Sequence, residues 1–257
     1  IRHTEQLIAK LQQMKQGLLH DLLARGIGDD GVLRDPERHP QMFKDSLIGR
    51  IPKDWEVAAV GEVCRRVEVG IVIRPTQYYV SVGVPMLRSA NVRESGIDLT
   101  DLVFMSEADH AMMSKSAVIP GDLVTVRTGY PGTTAVVPDG LATANCVDII
   151  ISRPGPRIQP HFLAIWINSD QGKDQVLRAQ GGLAQQHFNV GQLKKLLVPV
   201  PSLREQQRIS SVVALAGERV RFESALAEKL RGTRLGITDD LLTGRVRVTS
   251  LIGDDAA

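Results

Sequence analysis

Apolar residues recur at helical spacing in the first part of the chain. Over residues 4–24 they fall four, three, four and four positions apart, at Leu7, Leu11, Met14, Leu18 and Leu22. This spacing places them on one face of an α-helix. Thr4 is suited to cap the helix, Glu5 to face the positive end of its dipole, and Gly26 to end it. We therefore predict an amphipathic helix over residues 4–24.

A second and longer helical pattern begins after residue 201. The sequence Ser202-Leu203-Arg204-Glu205 has the Ser-x-x-Glu form of a capping box, and it follows two prolines that end the preceding segment. Glu223 and Arg234 interrupt the apolar stripe that follows. About forty residues nevertheless fit a four-three repeat, which predicts a helix about 60 Å long. The apolar positions are Ile209, Val213, Ala216, Val220, Ala227, Leu230, Ile237 and Leu241.

The last helix repeats the first. Six residues recur about 219 positions later: Lys10, Leu11, Gly17, Asp21, Leu22 and Leu23 return as Lys229, Leu230, Gly236, Asp240, Leu241 and Leu242. We interpret the two copies as spacer helices on either side of a globular domain, pairing as an antiparallel coiled coil. Because the repeated lysines and aspartates are expected to be exposed, they indicate two equivalent docking faces for one partner. The alternative is that both helices only pack on the central domain.

Between the helices the pattern changes to short β-branched runs. Residues 27–50 have little periodicity and are predicted to form an irregular connector. From residue 51 to 201 the runs are bounded by Gly and Pro, and helical patterns lie between them. The predicted strands cover 68–73, 84–88, 123–127, 133–137 and 147–152, and the predicted helices cover 107–115, 160–168 running on past Gly172, and 190–195. This mixture predicts an α+β domain with a mixed or antiparallel sheet.

Composition narrows the classes of protein that fit. The chain has 257 residues, is 43% hydrophobic and carries a formal net charge of +2. Residues 51–200 hold equal numbers of basic and acidic side chains, which argues against tight DNA binding without a partner. Since no apolar run is long enough for a bilayer and no secretory pattern is present, we expect a cytoplasmic location. The chain begins at Ile1 inside a predicted helix, so we expect a fragment, a processed product or an engineered chain.

The sequence offers no sign of catalysis. A phosphate-binding loop, a His-Glu-x-x-His pair and a Gly-x-Ser-x-Gly turn are all absent, as is the Asn-Pro-Pro-aromatic motif of adenine methyltransferases. Cys64 and Cys146 are far apart and lack neighbours at metal-ligand spacing, so buried free thiols are expected. We predict that the chain is not an enzyme, binds no cofactor and holds no metal.

Several stretches, taken in order, resemble the specificity (S) subunit of type I restriction-modification systems. They lie at residues 18–27, 51–57, 121–124, 199–206 and 240–247. In that family two target recognition domains, separated by helical spacers, each bind one half of a split DNA sequence. The resemblance implies the partners: double-stranded DNA, the DNA-methyltransferase (M) subunit and, in the larger assembly, the restriction (R) subunit.

The resemblance also sets the domain limits that we expect. These are a conserved spacer helix at 1–26, a connector at 27–50, one target recognition domain at 51–201, a second spacer helix at 202–245 and a tail at 246–257. The chain is similar either to the second half of an S subunit or to a half-subunit that forms a homodimer. With one spacer of each kind, pairing within the chain and exchange between two chains bury similar stripes, so monomer and dimer stay open.

Three stretches of the central domain carry the residue types that read DNA bases, which are Arg for guanine and Asn or Gln for adenine. A Gly-rich loop also suits close approach of the backbone to DNA. The candidate DNA-binding residues are Arg88, Ser89 and Asn91, then Arg127, Thr128, Tyr130 and Thr133, and finally Gln185, Gln186 and Asn189. Arg65, Arg66, Arg74 and Arg93 are candidates for phosphate contacts. For every one of these residues an ordinary surface or turn role is the competing interpretation.

The leading hypothesis is a DNA specificity module that reads half of a bipartite target and docks methyltransferase subunits through its helices. The competing hypothesis is an assembly scaffold that binds partner subunits without reading DNA. Substituting Arg88, Arg127 and Gln185 together distinguishes the two, because only a reader would lose sequence selectivity.

Overall fold

The chain forms two compact units. The computed structural model describes residues 1–72, 74–141, 143–180 and 187–246. One unit, the helical unit, contains Ile1–Leu19 and the residues from Ser211 onward, and the other, the sheet unit, contains His20–Ser210. The α-helices are α1 Arg2–Arg25, α2 Val60–Val63, α3 Glu107–Met112, α4 Pro160–Asn168, α5 Asp170–Ala179, α6 Val190–Lys195 and α7 Leu203–Leu242. Among the described residues, no helix has both the length and the apolar character needed to cross a bilayer.

The helical unit is an antiparallel pair formed by α1 and α7. Glu5 near the start of α1 accepts a hydrogen bond from Arg231 Nη2 at 2.5 Å, near the end of α7. Further along, the Lys15 ammonium lies beside Gly217, so later residues of α1 meet earlier residues of α7. Ala227 is buried in this pairing. The predicted antiparallel pair and the forty-residue helix are therefore confirmed.

Fourteen short strands form the β-structure described in the sheet unit. They are β1 Phe43–Ser46, β2 Gly49–Pro52, β3 Glu56–Ala59, β4 Cys64–Val69, β5 Val84–Leu87, β6 Val92–Arg93, β7 Gly96–Ile97, β8 Val103–Met105, β9 Ala117–Val118, β10 Leu123–Val126, β11 Thr134–Val136, β12 Ala144–Cys146, β13 Ile149–Pro154 and β14 Leu197–Val200. One four-stranded sheet has the order β11-β10-β13-β4 and is antiparallel, and the other has the order β8-β5-β12-β9 with β5 and β12 parallel. The predicted α+β class with a mixed sheet is confirmed.

The core lies between these sheets and the helices that cover them. Strands β10 and β13 bury nearly every side chain, including Val124, Ile149 and Ile151. Helix α4 adds Phe162 and Trp166, and the Trp166 indole donates a hydrogen bond to the carbonyl of Leu197 at 2.9 Å. This burial of large apolar side chains fixes the strands from which the candidate loops emerge.

Some predicted elements differ from the structure. The predicted helix running past Gly172 is two helices, because Ser169 has extended backbone angles and its hydroxyl caps α5 by accepting from Gly172 N at 3.2 Å. The connector at 27–50 is not irregular throughout, since it contains most of the β1–β2 hairpin. Strand β4 ends at Val69 rather than residue 73, and a Cβ on Gly70 would lie within 2.9 Å of Cys146 atoms.

The end of α1 and the start of α7 meet at one buried carboxylate, that of Glu205. Ser202 Oγ accepts from Glu205 N at 3.2 Å, which is one half of the predicted capping box. The Glu205 side chain does not complete it. Its carboxylate accepts from Ile27 N at 2.8 Å, from both terminal nitrogens of Arg34, and from Trp55 Nε1 at 3.1 Å. This ion pair raises the pKa of Arg34.

We call Gly26, Ile27, Arg34, Trp55 and Glu205 the helix-root node. Gly26 allows these residues to approach each other closely. Its φ of +67° lies in the left-handed region that favours glycine. A Cβ at this position would lie within 2.6 Å of Arg34, Glu205 and Trp55 atoms. Within the sheet unit, the end of α1 and the start of α7 are therefore held together by residues 150 or more positions apart.

Candidate nucleic-acid interface

The strand register brings several loops to one edge of the sheet unit. Val126 at the end of β10 lies opposite Ile149 at the start of β13, so Arg127 and Asp148 leave their strands side by side. Strand β4 ends there too, because Gly70 N donates to Ile149 O at 2.9 Å. The predicted loop at residues 127–133 therefore lies next to the loop that follows β4.

The parallel pair of the second sheet ends at the same place. Cys146 lies opposite Leu87, and Val147 N donates to Leu87 O at 2.8 Å. Since parallel strands have their carboxyl ends at one edge, Arg88 emerges beside Val147 and Asp148. We call residues 70–72, 74, 88–91, 127–133, 147–148 and 187–189 the strand-end edge.

Arg127 lies at the centre of the strand-end edge and is held on two sides. Its Nη1 pairs with the Asp148 carboxylate, and its Nε donates to the carbonyl of Phe188 at 3.3 Å. The Arg127 side chain is 17% exposed and that of Asp148 is 41% exposed. Asp148 has a φ of +48°, a left-handed conformation that Asp tolerates better than most residues. The guanidinium is thus oriented by protein groups without being removed from solvent.

The loop after Arg127 presents one aromatic side chain. Tyr130 is 83% exposed, whereas Thr128 and Thr133 are half-buried. The backbone closes this loop, since Thr133 N donates to Tyr130 O at 3.2 Å. The phenol of Tyr130 therefore projects from a closed turn.

The loop after β5 places its candidates differently. Arg88 Nη2 donates to the Asp101 carbonyl at 3.0 Å and pairs with its carboxylate at 2.9 Å. Ser89 is half-buried. Asn91 is 1% exposed, and its side chain bonds Arg88 N at 3.0 Å and the carbonyls of Asp98 and Asp101 at 3.1 and 2.9 Å. The Asn91 amide therefore holds the loop and is not presented to an adenine.

The third stretch is only partly described. Gln185 and Gln186 lie outside the described residues. Asn189 is exposed, and it caps α6 by accepting from Gln192 N at 3.0 Å while its own N–H donates to Gln192 Oε1 at 2.8 Å. Its neighbour Phe188 bonds Arg127, which brings Asn189 to the strand-end edge.

The four phosphate candidates are spread over the sheet unit. Arg74 is exposed at the strand-end edge with a φ of +45°. Arg93 lies 4.0 Å from Asp98. Arg65 and Arg66 lie at the opposite end of β4, so they are not part of the edge.

Sequence reasoning missed the acidic partners of the two candidate arginines. Asp148 and Asp101 orient Arg127 and Arg88, but each lies 13 or more positions from its partner. The signal at Asp148 was a single acid between two apolar runs, in Val147-Asp148-Ile149. An acid flanked on both sides by buried apolar residues is a place to look for a cationic or hydrogen-bonding partner.

Both cysteines are free thiols as expected, and Cys146 is buried whereas Cys64 is only half-buried. Burial raises the pKa of Cys64 to about 12, and burial also raises the pKa of Cys146. Both thiols are therefore protonated at neutral pH. In the part of the chain that the structure describes, no cluster of His, Cys, Asp and Glu is arranged to hold a metal ion.

Comparison with known proteins identifies the family. A family model for the type I restriction modification DNA specificity domain matches residues 52–230, more than two thirds of the chain. Among curated proteins, a putative type I restriction enzyme MjaX specificity subunit of Methanocaldococcus jannaschii is 25% identical over 210 residues, covering 78% of this chain and 48% of that protein. The MjaVIII specificity subunit of the same organism is 23% identical over 251 residues, covering 95% of this chain and 56% of that protein. The chain thus spans about half the length of these relatives.

Solved structures agree on the fold. The HsdS subunit from Thermoanaerobacter tengcongensis superposes with a TM-score of 0.59 at 16% identity, covering 93% of this chain and 52% of that chain. A chain from a structural study of complex assembly and conformational transition in the type I R-M system gives a TM-score of 0.61 at 18% identity, covering 93% and 54%. Together with the match of the family model, these likenesses show that the chain belongs to the type I restriction-modification DNA specificity family.

Proposed function

We propose that this chain reads one half of a bipartite DNA target at its strand-end edge. The observation that carries the proposal is the convergence of separate loops on one edge, each rooted in a buried strand. Base recognition needs donors and acceptors held in fixed positions, which loops on a rigid sheet provide. The proposed contact residues are Arg88, Ser89, Arg127, Thr128, Tyr130, Thr133, Gln185, Gln186 and Asn189, with Asn91 assigned to holding its loop.

The paired acids support a reading role for the arginines. An arginine held by a carboxylate at one edge of its guanidinium keeps remaining donors for a ligand and loses little rotamer freedom on binding. Arg127 and Arg88 both have this arrangement, with partly exposed side chains. Guanine, with two acceptors in the major groove, is the base that such an arginine fits.

The helices are the proposed docking site for DNA-methyltransferase subunits, with the restriction subunit joining the larger assembly. Beyond Lys229 the described part of α7 exposes a series of large apolar side chains, at Leu230, Leu235, Ile237, Leu241 and Leu242. Exposed apolar series of this kind mark interaction surfaces. Each repeated aspartate also pairs with an arginine that follows it, Asp21 with Arg25 four residues on and Asp240 with Arg245 five residues on. Methylation and cleavage would then be carried out by the partner subunits.

The test is selection of DNA from a random duplex pool by the chain bound to its methyltransferase subunit. The wild-type complex is expected to enrich a defined half-site. The R88A/R127A/Q185A variant should keep the methyltransferase subunit and lose the enrichment. A variant that enriches the same half-site as the wild type would favour the scaffold that binds partners without reading DNA.

A further inference from the structure

A basic cleft lies in the sheet unit, away from the strand-end edge. Its volume is about 260 Å³. It is formed where the N-terminal part of β4 meets α2 and the end of α6, and its lining includes Gly61, Cys64, Arg65, Arg66, Glu68 and Lys194. Three of these side chains are cationic and one is acidic.

The charges of the basic cleft are only partly compensated. Glu68 Oε2 accepts from Arg66 Nη2 at 2.8 Å, so this acid is already paired. Arg65 and Lys194 are exposed, and within the described ranges no acid lies at ion-pair distance from either. The basic cleft therefore carries positive charge, although residues 51–200 taken together are neutral.

Arg66 adds an unused donor. Its Nε is buried and has no hydrogen-bond partner among the described residues. A buried N–H without an acceptor is unfavourable, and an anionic oxygen is the strongest acceptor for a guanidinium. The basic cleft therefore has the chemistry of a site for an oxyanion.

The backbone fixes Lys194 at the cleft. A Cβ on Gly61 would lie 3.2 Å from Lys194 atoms, so the absence of a side chain lets α6 approach α2 closely. Val60 N donates to Leu196 O at 2.8 Å and ties the end of α6 in place. The start of α6 is capped by Asn189 at the strand-end edge. One short helix therefore connects the edge to the cleft.

The distance between the basic cleft and the strand-end edge is a few times the spacing between neighbouring phosphates of one DNA strand. Five residues of α6 rise about 7.5 Å from Asn189 to Lys194. Four residues of β4 extend about 13 Å from Arg66 to Gly70. Phosphates of one strand follow each other every 3.4 Å or so along the duplex axis, so these two lengths correspond to about two to four base-pair steps.

We propose that the basic cleft binds a backbone phosphate of the DNA, about three nucleotides from the bases contacted at the strand-end edge. The proposal rests on the proposed DNA-reading function and extends it to a contact that positions the duplex without reading its sequence. Arg65, Arg66 and Lys194 are the residues assigned to it.

The experiment compares R65Q/K194Q with wild type, each as the full chain in complex with the methyltransferase subunit. Anisotropy is measured on a duplex selected from a random pool and on an unselected duplex, from about 50 to 200 mM salt. We expect both dissociation constants to rise by the same factor, about tenfold, and the salt slope to fall by one to two. R65K/K194R should restore the wild-type values, and K44Q/K53Q, which also removes two positive charges from exposed side chains, serves as the charge-matched control.

Neutral methylphosphonate linkages placed one at a time locate the phosphate. At one or two positions outside the selected bases, the wild type should lose affinity and R65Q/K194Q should lose nothing further. Equal sensitivity of both proteins at every position would overturn the proposal. So would a changed ratio of selected to unselected binding, or loss of the methyltransferase subunit instead of DNA.

The outcome separates the two proposals. If the wild-type complex prefers no sequence, the reading function fails, while the salt slopes still show whether the cleft binds phosphate. If the wild type prefers a sequence and R65Q/K194Q has the same salt slope, the cleft proposal fails and the reading function stands. Circular dichroism confirms that every variant is folded.

Discussion

The helix-root node and the strand-end edge use the same chemistry in opposite ways. At the node, Glu205 accepts four hydrogen bonds in a buried setting, and Arg34 and Trp55 depend on it. At the edge, Arg127 and Asp148 form an ion pair that stays partly exposed. A buried, fully paired carboxylate stabilises the fold when it is intact and destabilises it strongly when it is broken. A partly exposed pair contributes little stability and remains open to a ligand.

The largest effect on stability is expected from E205A. Removing the carboxylate leaves the Trp55 N–H buried without its partner and leaves the Arg34 guanidinium with the exposed Asp54 as its acidic partner, at a cost of about 3–5 kcal/mol in the free energy of unfolding. Denaturant unfolding followed by circular dichroism measures it. E218A, which removes an exposed glutamate of the same helix, should stay within about 0.5 kcal/mol of wild type. A loss below about 1 kcal/mol for E205A would contradict the role given to the node.

The next effect is expected from G26A. The left-handed φ and the close approach of three side chains both oppose a Cβ, so a loss of about 1–3 kcal/mol is expected. G17A is the matched comparison, because Gly17 is helical and a Cβ there meets nothing within 4 Å. That variant should gain about 0.5–1 kcal/mol. Equal effects of the two substitutions, measured by denaturant unfolding, would argue against a crowded node.

At the strand-end edge, substitutions are expected to change DNA binding more than they change stability. R127A is expected to change the free energy of unfolding by at most about 1 kcal/mol, because its ion pair is partly exposed. It should lower the preference for the selected DNA over an unselected duplex by about 1–3 kcal/mol, which is the value of one arginine–guanine contact. Competition binding measures the preference, and R157A, which breaks an exposed ion pair with Glu56, is the control. A large loss of stability with an unchanged preference for the selected DNA would mean that Arg127, like Glu205, stabilises the fold and does not read DNA.

The smallest effects are expected from Y130A. The side chain is 83% exposed, so the free energy of unfolding should stay within about 0.5 kcal/mol of wild type. Binding of the selected DNA should weaken by less than about tenfold, as expected for loss of one aromatic contact. Unchanged binding in a titration would remove Tyr130 from the contact set.

Local patterns predicted the elements that are long or flanked by clear signals. Helix α6 matches its prediction, and α1, α7 and strands β5, β10 and β13 agree to within a few residues. Most strands of two or three residues, such as β9 and β12, were missed because periodicity hardly shows in so few positions, although the three-residue β11 lies within the predicted strand at 133–137. Pro199 was interpreted as part of a break, yet it lies in β14, whose antiparallel partner in the two-stranded sheet is β3.

The sequence predicted the separate loops of the candidate site. It did not predict that these loops lie together at one edge. Arg88 and Arg127 were identified because each follows a recognisable strand. Their convergence depends on the register of strands about 20 to 60 residues apart, which no local pattern contains. The same reason explains Glu205, whose local motif predicted a helix cap while its carboxylate accepts hydrogen bonds from residues 150 or more positions away.

Photo-crosslinking tests most directly whether the DNA is read at the strand-end edge. A benzophenone side chain is placed at Tyr130 on the strand-end edge or at Leu47 in the β1–β2 turn, where the native side chain is 87% exposed. Each protein is irradiated on the selected duplex, in complex with the methyltransferase subunit. Crosslinks from position 130 to the selected bases, with none from position 47, are the expected result. Crosslinks from position 47 with none from position 130 would contradict the assignment of DNA reading to the strand-end edge.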